Sequence, residues 1–71
     1  MISDAVMVEL LKESVLSPSS VYQVAARLML DLARRGDLEI SPKRIEVLRA
    51  DAGPDVADAV EALADKLGLT H

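Results

Sequence analysis

The chain has 71 residues, enough for one small domain, and no cysteine, which excludes disulfides and thiolate zinc sites. About half of the residues are apolar (51%), mostly Ala, Leu and Val, and Tyr22 is the only aromatic residue, so there is little material for stacking an aromatic ligand. The formal net charge of −4 argues against a general nucleic-acid binder, whose affinity comes mainly from neutralising phosphates.

The charge is unevenly spread. Both ends of the chain are acidic, and the stretch from Arg27 to Arg49 is basic. No apolar run approaches the roughly 20 residues needed to cross a bilayer. The first residues lack the basic start and apolar stretch of a signal peptide. These features lead to the expectation of a cytoplasmic protein with no membrane partner.

Helix 1 is predicted over residues 4–16. Ser3 is placed to cap it, accepting from a free N–H of the first turn, and Asp4 complements the positive end of the helix dipole. Met7, Val8, Leu10, Leu11 and Val15 form a broad apolar side opposite Glu9, Lys12 and Glu13. Ser17-Pro18-Ser19-Ser20 then interrupts, because proline disfavours helical geometry in the residue before it.

Helix 2 is predicted over 18–35, with Pro18 in its first turn and Gly36 just past its end, where positive φ is wanted. The tripeptide Arg35-Gly36-Asp37 is accounted for by that helix end. The polar residues Gln23, Arg27, Asp31 and Arg34 fall within about 80° of arc at 100° per residue. Nearly everything else is apolar, and two adjacent seams result. Val21, Ala25, Leu28 and Leu32 form one, assigned to the internal core. Tyr22, Ala26, Met29 and Ala33, extended by Leu30, form the other, assigned as the candidate protein interface. A helix with two seams must bury two sides: either the three other helices cover both within one chain, or one seam meets another chain, and the second is preferred because so short a chain has little surface with which to surround a helix. On that reading Met29→Glu breaks assembly and spares the fold.

Asp37-Leu38-Glu39-Ile40 alternates polar and apolar, as expected of an extended link pinned by Leu38 and Ile40. Ser41-Pro42 opens helix 3, over 42–52, with Ile45, Leu48 and Ala52 facing in and Lys43, Arg44, Glu46 and Arg49 facing water. Gly53-Pro54 opens helix 4, over 54–67. Val56, Ala59, Val60, Leu63 and Leu67 face in on it, and Asp58, Glu61 and Asp65 face out. Gly68 is its stop, and Leu69-Thr70-His71 is read as a tail.

Catalytic signals are weak. His71, the only histidine, is the last residue of the chain, where a base is poorly held. The acidic residues of helix 4 lack the spacing of a calcium loop. No phosphate-cradling glycine loop and no nucleophile with a positioned base is visible. No enzyme activity, cofactor or metal is expected.

The fold expected is all-α: a compact bundle of four short helices in one domain, 1–71, with helix 2 central and self-association covering its second seam. The expected function is a non-enzymatic protein-interaction module: an adaptor, an assembly factor, a small regulatory or structural subunit, or an antitoxin-like inhibitor. Its partner is itself, as a homodimer, or a larger protein. The alternative is a small helix-turn-helix-like DNA-binding regulator, with Arg34, Arg35, Lys43, Arg44 and Arg49 contacting DNA around the junction of helices 2 and 3. Against it stand the long link after Gly36 and the interspersed acids Asp31, Asp37, Glu39 and Glu46.

Overall fold

A computed structural model describes residues 3–69. Four helices account for most of them: α1 (Asp4–Leu16), α2 (Ser20–Arg34), α3 (Pro42–Ala52) and α4 (Pro54–Lys66). No strand occurs among the described residues. No described helix is long and apolar enough to cross a membrane.

The helix starts follow from serine chemistry. The Ser3, Ser19 and Ser41 hydroxyls each accept from a backbone N–H three residues on, those of Val6, Tyr22 and Arg44. Pro42 and Pro54 then fill first-turn positions, where a missing N–H costs nothing. The start of α2 differs from expectation. Pro18 lies outside the helix, and Ser19 rather than Ser17 takes the cap. Ser17 is engaged otherwise. Its hydroxyl accepts from the Ser19 N–H at 3.3 Å, and its carbonyl accepts from the Gln23 side-chain amide at 2.7 Å.

The helix ends use glycine where it was expected. After α2, the Gly36 N–H donates to the Ala33 carbonyl and the Asp37 N–H to the Leu32 carbonyl. After α4, Gly68 and Leu69 donate in the same way to Asp65 and Ala64. Both are Schellman closures, which need a left-handed residue just past the helix. Leu69, read as part of a tail, is half-buried against the core. Thr70 and His71 lie outside the described residues.

The packing runs in a series. α1 lies on α2, α2 on α4, and α4 on α3. Leu10, Met29 and Val60 are the largest fully buried side chains. Around them lie small residues, Ala25 and Ala26 on α2 and Ala57, Ala59 and Ala64 on α4, which let the helices approach closely. Val56, Leu67, Leu38 and Ile40 pack against this cluster from its edge, so the link between α2 and α3 is indeed held by two apolar side chains. α3 buries Ile45 and Leu48, but Ala52, expected to face in, is exposed at the last turn.

Polar groups inside are satisfied. Ser14 is buried on α1 and donates to the Leu11 carbonyl at 2.8 Å. On the surface, Lys66 of α4 reaches Glu13 of α1 at 3.1 Å and ties together the two helices that flank α2.

Gly53 joins α3 to α4 at φ +99° and ψ 158°, a region that residues with a Cβ rarely enter. A Cβ there meets nothing within 4 Å, so the penalty for one is conformational alone. Gly53→Ala is expected to lower unfolding free energy by about 1–3 kcal/mol, measured by urea denaturation. A change below a few tenths of a kcal/mol would show that the turn relaxes freely.

Candidate functional site

The second seam of α2 is not a surface. Ala26 and Met29 are fully buried and Leu30 nearly so, all within the main core cluster. Ala33 is half-buried, and of this seam only Tyr22, in the first turn, is exposed. The seam assigned to the core fares differently. Ala25 and Leu32 are buried, while Val21 and Leu28 are half-buried. The interface assignment for Ala26, Met29 and Leu30 is therefore corrected. The reason is geometric: α2 has α1 on one side and α4 on another, and together they cover the apolar arc within one chain.

Val24 on α2 and Val47 on α3 are exposed singly, and the one row of exposed aliphatic side chains among the described residues is on α1. Val8 is 47% exposed, Leu11 45%, Val15 68% and Leu16 75%. Val8, Leu11 and Val15 follow a 3–4 spacing, the repeat of a seam that packs against another helix. The sequence shows α1 as one broad apolar side, and the structure divides it. Val8 and Leu10 sit about 160° apart at 100° per residue. Leu10 is fully buried, with Val6 and Met7 half-buried beside it, and Val8 faces away. α1 packs closely along one helix only, α2, so its far side has no neighbour.

Charges around this stripe are few. Asp4 falls within the stripe, and Lys12, exposed about 40° from Val8 at 100° per residue, borders it instead of lying opposite as expected from the sequence, with Glu9 in line with Leu16. Lys12 makes a loose contact with Glu9 at 3.7 Å, and both side chains are well exposed. Glu13 is turned toward α4 by its bond to Lys66.

The basic residues do not gather into one surface. Arg44 is paired with Asp37 at 3.3 Å and Arg49 with Asp58 at 2.9 Å. The Arg35 Nε lies 3.5 Å from the Asp31 carbonyl within its own helix end. Arg34 and Lys43 are exposed. α3 packs on α4 and not on α2, whereas a helix-turn-helix unit needs its two helices braced against each other. A groove of about 420 Å³ beside Lys43, Arg44 and Val47 also carries Glu39 on its rim, which opposes a phosphate.

Two further grooves flank Tyr22. One, of about 370 Å³, runs past Glu13, Pro18, Ala62 and Lys66. The other, of about 480 Å³, runs past Val21, Asp55 and Ala59. In the first, the only cation, Lys66, is already bonded to Glu13. On α4 the outward Asp58, Glu61 and Asp65 are exposed, as read from the sequence.

Comparison with protein-family models, with curated proteins and with solved structures finds no match. The surface chemistry of the chain therefore carries the functional argument.

The division of apolar residues between core and surface has a direct test. Met29→Glu places a charge in a fully buried position and is expected to unfold the protein, losing several kcal/mol. Val15→Glu, on the open face, is expected to change stability by no more than about 0.5 kcal/mol. Circular dichroism with thermal melting distinguishes them, and similar melts for the two variants would contradict this division.

Proposed function

We propose that this protein is a helical protein-interaction module that works through the outer face of α1. The observation that supports this reading is the row formed by Val8, Leu11, Val15 and Leu16, each about half exposed or more. Scattered surface aliphatics need no explanation, but a contiguous row on one helix usually marks a contact surface. α1 carries apolar residues on two sides, and within its own chain only the side toward α2 has a neighbour. A second helix, or a groove in another protein, supplies the missing neighbour.

The reading keeps the function class expected from the sequence and moves its surface from α2 to α1. Adaptor, assembly factor and small regulatory subunit all use such a face. DNA binding is not advanced, because the paired arginines and the separation of α2 from α3 leave it without a scaffold.

The test is residue-specific crosslinking. A photoreactive amino acid replacing Val15 in the full chain, irradiated inside cells that produce it, is expected to give a discrete adduct of defined mass. The same amino acid replacing Glu61, on the acidic side of α4, is expected to give only background. Adding Leu11→Glu removes the Val15 adduct. Equal labelling from both positions, or none from Val15, overturns the reading.

A further inference from the structure

We draw no further inference here: the strongest candidate, the row of exposed aliphatic side chains on the outer side of α1, belongs to the surface already described, and nothing in the structure shows what covers it.

Discussion

α2 carries apolar side chains around most of its circumference, and burying them takes more than one neighbour. α1 and α4 supply that cover, and their close approach depends on small residues at the contacts: Ala25 and Ala26 on α2, Ser14 on α1, and Ala57, Ala59 and Ala64 on α4. The rest of the chain is arranged around this sandwich. α3 joins α4 at Gly53 and packs on it through Ile45 and Leu48, and Leu38, Ile40 and Leu69 seal the edges.

Covering α2 has a consequence for α1. A chain of 71 residues lacks the surface to enclose every helix. The helix at the end of the series, α1, spends one face on α2 and leaves the other open. This shifts the apolar surplus of the molecule from the middle of the sequence, where the pattern is most conspicuous, to its first helix. Met29 becomes the centre of the core, and Val15 and Leu16 become the most exposed large apolar residues.

The electrostatics follow the same division. The basic residues of the middle segment answer acids nearby: Arg44 holds Asp37 across the link, and Arg49 of α3 holds Asp58 of α4. They act as clasps between elements more than as a patch facing outward. The acidic outer side of α4 stays exposed.

Local structure was legible in the sequence. The serines before the helices, the prolines after Ser41 and Gly53, and the glycines after Arg35 and Leu67 act within a few residues of the backbone, so helix number and most boundaries follow from them. Pro18 was misplaced because three serines surround it and only the folded chain selects the one that caps. The single stripe of α4 was also plain, since its apolar residues admit one inward direction. α1 and α2 were different. Each has apolar residues on more than one side, and periodicity alone allows several inward faces. Which side is buried depends on where the neighbouring helices lie, and that order, α1 on α2 and α2 on α4 with α3 set apart from α2, is a property of the whole chain. The sequence by itself determined the four helices and their ends, because capping and helix periodicity are local. Only the tertiary structure decided that the α2 seam is core and the α1 seam is surface, because burial depends on which helices become neighbours.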